Sequence, residues 1–376
     1  DKPQSVGSSD VYGQARKLGI SDRALRRRAK VLPPDRLIDF ADIPVSQEYL
    51  DQIRSSGATI RTVSRWLNAV SVETSRDQVR ALEQLPFVRT SVPVVSSRKR
   101  RPELLETPPA APLLKQTSAT TLNYGSSIHQ LSNIRVVELH ELGVFGRGVI
   151  VGMIDDGFNN HRVHEALKDI DILDEFNFIH RIPSTMRQPW ESSGQGMHGS
   201  LTLSALAGFT DGSLIGAAFG SSLILAKTEM DSIEVRAEED LYVEALEWME
   251  LLGADIVSTS LGYIDWYTYD SLDGVTATTS RAARVAAQKG VLLVTAMGNE
   301  GWYQKDSTGK SIPGATGTLI APADADSIIA VGAAFSFGEI ASFSSTGPTF
   351  DGRIKPEVVA QGTGVVSANG GTVSGY

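Results

Sequence analysis

Cysteine is absent from all 376 residues of the chain, and this one absence removes disulfides, zinc–thiolate sites and a cysteine nucleophile together. It does not decide the compartment. No run of about 18 apolar residues occurs, so no membrane-spanning helix is expected. The first residue is Asp1 rather than Met, and no positively charged start leads into an apolar stretch, so any signal peptide is expected to have been removed. Positive charge is in short supply as well. With 35 Lys and Arg against 44 Asp and Glu, the net charge is -9, and no overall positive field would draw DNA or another nucleic acid as principal partner. Gly143, Gly146 and Gly148 miss the dinucleotide fingerprint, because their spacing is wrong and they precede a strand instead of following it.

What is present suffices for a full hydrophobic core: 41% of residues are hydrophobic, and the length suits about two domains. Residues 1–30 are polar and basic, with Arg26-Arg27-Arg28 beside a short amphipathic stretch at Ser21 to Ala29, and read as a loosely held arm. Residues 31–95 tighten into a compact unit. Leu37 to Ile43 reads as a strand, Ser46 caps a helix bearing Tyr49, Leu50 and Ile53, and Gly57 ends it. Thr59 to Val63 and Leu67 to Val72 read as strands, Ser75 caps a second helix with Val79, Leu82 and Leu85, and Phe87 to Val95 reads as a last strand. The order βαββαβ is a small ferredoxin-like α+β arrangement, short enough to lean on a partner surface. Residues 96–121 contain Arg98-Lys99-Arg100-Arg101 and then Pro102, Pro108, Pro109 and Pro112, a composition that makes a linker, cut or uncut.

Residues 122–376 alternate between strand and helix patterns. Strands are expected at Val149 to Ile154, Ser222 to Lys227, Ala254 to Thr259, Val291 to Ala296 and Ile328 to Ala333. Helices are expected at Ile134 to Leu142, Ser200 to Ala207, Glu238 to Leu252 and Thr279 to Gln288. Such alternation specifies an α/β fold, a parallel sheet flanked by helices on both faces. The run V-I-V-G-M-I from Val149 is apolar without interruption, as a strand buried on both faces must be, and it stops at Asp155-Asp156-Gly157. At a strand's carboxyl end Asp155 is either a turn cap or an active-site acid. His198 lies among glycines at the mouth of a helix, a structural cap or a general base. Asn299, in Met297-Gly298-Asn299-Glu300-Gly301, is an ordinary turn residue or a neutral N–H donor for a developing oxyanion. Ser260-Leu261-Gly262 lacks a nucleophile elbow and reads as an edge for pairing with an extended peptide.

Together these segments resemble the subtilisin-like serine proteases: I-D-D-G at Ile154, H-G-S at His198, S-L-G at Ser260, G-N-E-G at Gly298, and F-S-S-T-G-P-T-F-D-G-R-I-K-P-E from Phe343, in that family's order and at roughly its spacing. The resemblance runs from Ile134 to the end, and 37–95 looks like the family's inhibitory propeptide through R-W-L-N-A-V-S-V at Arg65 and its element order. It implies a subtilisin-like parallel sheet, a catalytic Asp155, a general-base His198, an oxyanion-hole Asn299, and a substrate lying along Ser260 to Gly262 and beside Ala296 and Gly298. The order Asp, His, Ser is the one that the general account of triads gives for subtilisin. It further implies a secreted, cell-surface or periplasmic endopeptidase for protein and peptide substrates, with its own propeptide as intramolecular inhibitor, whose last strand would fill the cleft. No cofactor is implied for the chemistry.

Three departures matter. Asp156 stands where the family has Ser or Thr, and since two adjacent carboxylates resist joint ionisation, Asp156 is expected to turn away toward water. Ser200 replaces a Thr and keeps the hydroxyl. The Gly-Thr-Ser segment does not occur after the G-x-x-V-V-S-A pattern at Gly362 to Ala368, so the nucleophile is expected beyond Tyr376. A pseudoprotease that binds peptides in the same cleft is the alternative, and an aspartic-type hydrolase using Asp155 and Asp156 together is a more distant one. His161 and His164 read as exposed histidines rather than metal ligands. Asp324 and Asp326 leave structural calcium open, with a turn as the default.

Overall fold

The computed structural model describes residues 11–94, 96–97, 121–301, 304–305, 311–312 and 316–376. In the N-terminal part lie α1 (Val11–Lys17), α2 (Asp22–Arg28), α3 (Gln47–Ser55), β1 (Thr59–Ser64), β2 (Ala69–Glu73), α4 (Arg76–Glu83) and β3 (Ser96–Ser97). α5 (Ile128–Asn133), α6 (Val136–Glu141), β4 (Ile150–Asp155), β5 (Asp171–Asn177) and α7 (Met197–Ala207) follow. Next come β6 (Phe209–Thr210), β7 (Leu214–Ile215), β8 (Ser222–Lys227), β9 (Glu234–Val235), α8 (Ala237–Leu252), β10 (Ile256–Thr259) and α9 (Thr278–Gln288). The chain continues through β11 (Leu292–Ala296), β12 (Gln304–Lys305), β13 (Ser311–Ile312), β14 (Ile329–Ala334) and β15 (Val358–Gln361).

The apolar runs form a seven-stranded sheet in the order β15-β14-β11-β10-β4-β8-β5, with every pair parallel. β4 is buried along its whole length because helices cover both of its faces. Ile150 and Ile154 pack with Leu246 and Met249 of α8, while Val151 and Met153 pack with Leu203 and Ala207 of α7. α8 ends on Gly253 at φ 100°, the left-handed turn that a helix C-terminus requires. Farther along the sheet the cover on the α7 side thins. There Ile256, Val294, Ile329 and Val331 are half-buried and Leu292 is exposed, while their strand neighbours Val257, Leu293 and Ala330 are fully buried on the opposite face.

The N-terminal unit departs from the expected pattern in three places. Its two helices and the antiparallel hairpin β1–β2 form as read, with Tyr49 stacked on Phe87 at 4.0 Å between ring centroids. Ser75 makes a reciprocal capping box with Gln78, whereas Ser46 makes no side-chain cap bond. Leu37 to Ile43 is not a strand. Asp39 and Asp42 cap one another across a short 3-10 turn, which turns the Asp42 carboxylate inward onto Arg28. Phe87 to Val94 is not a strand either, and among the described residues that follow, Ser96 and Ser97 pair with β9. Nor do residues 11–30 form a loose arm. α2, capped by Ser21, packs on α8, and Arg27 and Arg28 are buried against Glu250. The hairpin docks on α8 as well: Glu247 accepts from Ser64 Oγ at 2.6 Å, Trp66 N at 3.1 Å and Arg65 N at 3.2 Å. Of the expected linker, residues 98–120 lie outside the described residues.

Candidate active site

Parallel register decides what meets at the sheet edge. Thr259 of β10 pairs with Ile154 of β4 and with Thr295 of β11, so Asp155, Ser260 and Ala296 all stand one step farther along at the same carboxyl end. α7 starts at this edge after Gly196, whose φ is 77°. Gly199 lets the helix approach the turn after β4, since a Cβ there would run into Gly157 O and Asp155 Cβ. His198, in the first turn of α7, thus reaches Asp155, with Nδ1 2.7 Å from Oδ1. Asp155 Oδ1 also accepts from Asp156 N at 2.8 Å, and Oδ2 accepts from Thr202 Oγ1 at 3.2 Å. The Asp155 side chain is 2% exposed and that of His198 is 50% exposed, so one partner is fixed in the protein while the other keeps an open side.

The electrostatics follow from burial and pairing. Burial acts to raise the Asp155 carboxyl, but the charge and hydrogen bond of His198 outweigh it and hold the group below its ordinary value. In turn the Asp155 charge raises the His198 imidazole to about 9 against the opposing effect of burial. Asp156 does not turn toward water. It is buried and faces the start of α7, where Oδ1 accepts from Gly199 N at 2.9 Å and Oδ2 from Gly196 N at 3.1 Å. These unpaired N–H groups of a helix start are what a carboxylate satisfies there, so local hydrogen bonding overrides the repulsion between neighbours. Burial and then the Asp155 charge push the Asp156 carboxyl up to about 7. The two aspartates therefore serve different partners. Asp155, Asp156 and His198 offer ligand atoms within 4.8 Å of one another, though each carboxylate is already committed to its own donors.

Ser260 and Asn299 are exposed at the edge. The turn carrying Asn299 is held by the F-S-S-T stretch: Ser345 N donates to Gly298 O at 3.0 Å, and Glu300 N donates to Ser345 Oγ at 2.9 Å. Beyond Ser260, Leu261 is buried and Gly262 leads into Tyr263, which pairs with Ala321. His161 and His164 are buried, not exposed. His161 Nε2 lies 3.3 Å from Glu175 and His164 Nε2 lies 3.2 Å from Gly375 O, so both serve local structure. Asp324 accepts from Gly274 N at 2.7 Å and Ser280 Oγ at 2.5 Å, and Asp326 accepts from Arg284 at 2.9 Å. Residues that sequence reasoning passed over include Thr202, one helical turn after His198, and Gln195, whose amide binds Asp156 O and Glu229 O. The β9 edge was also missed. Ser96 pairs with Val235 and Ser97 with Glu234, a two-residue strand too short to leave a sequence signal.

Known proteins resemble this chain in sequence. Residues 146–375 match the model of the Subtilase family, and residues 1–106 match that of the Peptidase S8 propeptide domain of Bacteroidota, which takes in the segment read as an arm. Subtilisin E of Bacillus subtilis is 29% identical over 257 residues, covering 67% of this chain and 57% of that protein. The chain thus spans little more than half the length of this relative. The alkaline protease of Alkalihalobacillus alcalophilus is 25% identical over 342 residues, 89% of this chain and 74% of that one. Among solved structures, a cold adapted subtilisin-like serine proteinase aligns at 20% identity with a TM-score of 0.44, over 60% of this chain and 66% of that chain.

Proposed function

The chain belongs to the subtilase family, and on that footing we propose that it is a serine endopeptidase held with its inhibitory propeptide. The observation that carries the reading is the 2.7 Å contact between Asp155 Oδ1 and His198 Nδ1 at the sheet edge that also bears Ser260 and Asn299. Residues 1–95 form the propeptide, with 1–30 as its N-terminal segment, 96–121 a linker, and 122–376 the catalytic domain. The nucleophilic serine follows Tyr376. In support, the half-exposed apolar face formed by Leu292, Val294, Ile256, Ile329 and Val331 is the kind of surface that a further helix covers.

Substrate lies as an extended strand along Ser260 to Gly262, beside Ala296 and Gly298. The serine hydroxyl attacks the scissile carbonyl carbon while its proton passes to His198 Nε2, and Asp155 stabilises the imidazolium that results. The Asn299 amide donates to the oxyanion, and collapse of the intermediate sends the imidazolium proton to the leaving amine. Water then repeats the sequence on the acyl-enzyme. Protein and peptide substrates, an extracellular location and the propeptide as intramolecular inhibitor belong to the same proposal. The pairing of Ser96 and Ser97 with β9 supports the inhibitor role, since it seats the end of the N-terminal unit on a strand edge as a peptide ligand would sit.

The same pairing also suits the alternative, a silent relative that binds peptides without cutting them. Incubating the full-length protein with an unfolded, labelled protein separates the two. Release of small fragments, lost in His198→Ala, supports the endopeptidase, and binding without fragments supports the alternative.

A further inference from the structure

We propose that Ile320 is the residue that sets cleavage specificity, by filling the pocket for the substrate side chain next to the scissile bond and restricting it to small side chains such as Ala, Ser and Gly. This rests on the endopeptidase reading above and adds a substrate class to it. β10 and β11 run side by side up to Thr259 and Thr295 and then part, one continuing through Gly262 and the other through Gly298. An extended peptide laid along both arms, with its carbonyl toward Asn299, directs the adjoining side chain down into the gap between these two glycines.

Ile320 occupies that gap. A Cβ built on Gly298 would lie 3.0 Å from Ile320 Cγ1 and 3.1 Å from Cδ1, and one built on Gly262 would run into the same two atoms. The side chain therefore bridges the two arms where neither supplies one of its own. Its backbone is pinned from both sides: Ile320 N donates to Met297 O at 3.3 Å, and Ala321 and Tyr263 exchange hydrogen bonds at 3.1 and 2.8 Å. Leu319 and Ala321 are fully buried, whereas Ile320 is half-buried, which turns its side chain alone to the open side of the gap. A branched aliphatic side chain held this firmly takes up the space that the two glycines leave open, which favours a small substrate side chain above it.

The test compares two short chromogenic peptides that differ only at the residue before the cut, Ala or Phe, with the full-length protein and its Ile320→Gly and Ile320→Ala variants. The native protein is expected to favour Ala by at least about tenfold in kcat/KM, the scale that apolar pocket fit provides. Ile320→Gly is expected to reverse the order, with Ile320→Ala intermediate; should the glycine variant fail to fold, the alanine variant carries the comparison. A native preference for Phe, or a ratio the same in all three proteins, overturns the assignment while leaving the hydrolase intact. If neither peptide is cut, the endopeptidase reading fails. Fluorescence anisotropy of the same peptides then reads the pocket alone: a reversal of affinities supports it, and unchanged or absent binding overturns it.

Discussion

Arg28 and Glu250, 222 residues apart in sequence, meet with both side chains fully buried: Nη2 lies 2.7 Å from Oε2, and Nε lies 2.9 Å from Oε1. Around them Asp42 takes Arg28 at 2.8 and 2.9 Å, Lys289 reaches Asp42 at 3.0 Å, and Arg27 adds Glu250 and, at 2.6 Å, Ala254 O. The network spans the N-terminal segment, α8 and the end of α9, so the part that matches the propeptide domain is tied to the part that matches the Subtilase family by desolvated charge. Desolvated charge is tolerated only while it is paired.

Removing one partner should therefore be costly. Glu250→Ala leaves Arg27 and Arg28 without their shared carboxylate and is expected to destabilise docking of residues 11–42 by about 3–5 kcal/mol. The measurement is hydrogen exchange: amides in α1 and α2 should lose protection while those of β4 and β8 keep theirs. Unchanged protection in α2 would show that the network contributes nothing to docking.

The Asp155–His198 pair sets an expectation for pH. A histidine raised from its ordinary value to about 9 contributes stability that is present below its unfolded value and is lost as pH rises through about 9. Hydrolysis runs the other way, because only the neutral imidazole accepts the serine proton. Activity is thus expected to climb from neutral pH toward about 9. Among the groups that raise His198, the Asp156 charge adds to that of Asp155, so Asp156→Asn should move the acidic limb of kcat/KM to lower pH. A limb that stays in place or moves upward contradicts this coupling.

Asn299 stands exposed on a turn fixed by Ser345, and the proposed mechanism makes it the oxyanion donor. In the full-length protein Asn299→Ala is expected to lower kcat by about 10² to 10³ with little change in KM, as loss of one transition-state donor does. Steady-state kinetics on one peptide decides it, and an unchanged kcat would remove Asn299 from the mechanism.

Much of this was legible in the sequence wherever one physical signal dominated. β8 falls on Ser222 to Lys227 as expected, and α8 and α9 begin one residue before the expected positions, because apolar periodicity and the glycines at 253 and 290 mark them. Asp155 and His198 could be paired because each adjoins a glycine-marked break between elements. The resemblance supplied the link between the two segments. What escaped reading was decided by partners far away in sequence. Arg26-Arg27-Arg28 looks like a solvated basic face until Glu250 is brought to it, and Leu37 to Ile43 alternates like a strand until Asp42 is drawn inward. β5 and β15 carry no uninterrupted apolar run, lie at the two edges of the sheet and were passed over. Asp156 was read by charge repulsion alone, while the N–H groups of Gly196 and Gly199 that hold it belong to a helix 40 residues on. Ile320 sits in no motif, and only the parting of two glycine-bearing strand ends gives it meaning.

In the proposed endopeptidase Asp155 and His198 activate a serine that follows Tyr376. A fluorophosphonate probe applied to the full-length protein, with the labelled peptide identified by mass spectrometry, tests it most directly. One modified serine beyond Tyr376, with labelling abolished in His198→Ala, is the expected result. An unlabelled native protein, or label on a serine before Tyr376, would contradict it.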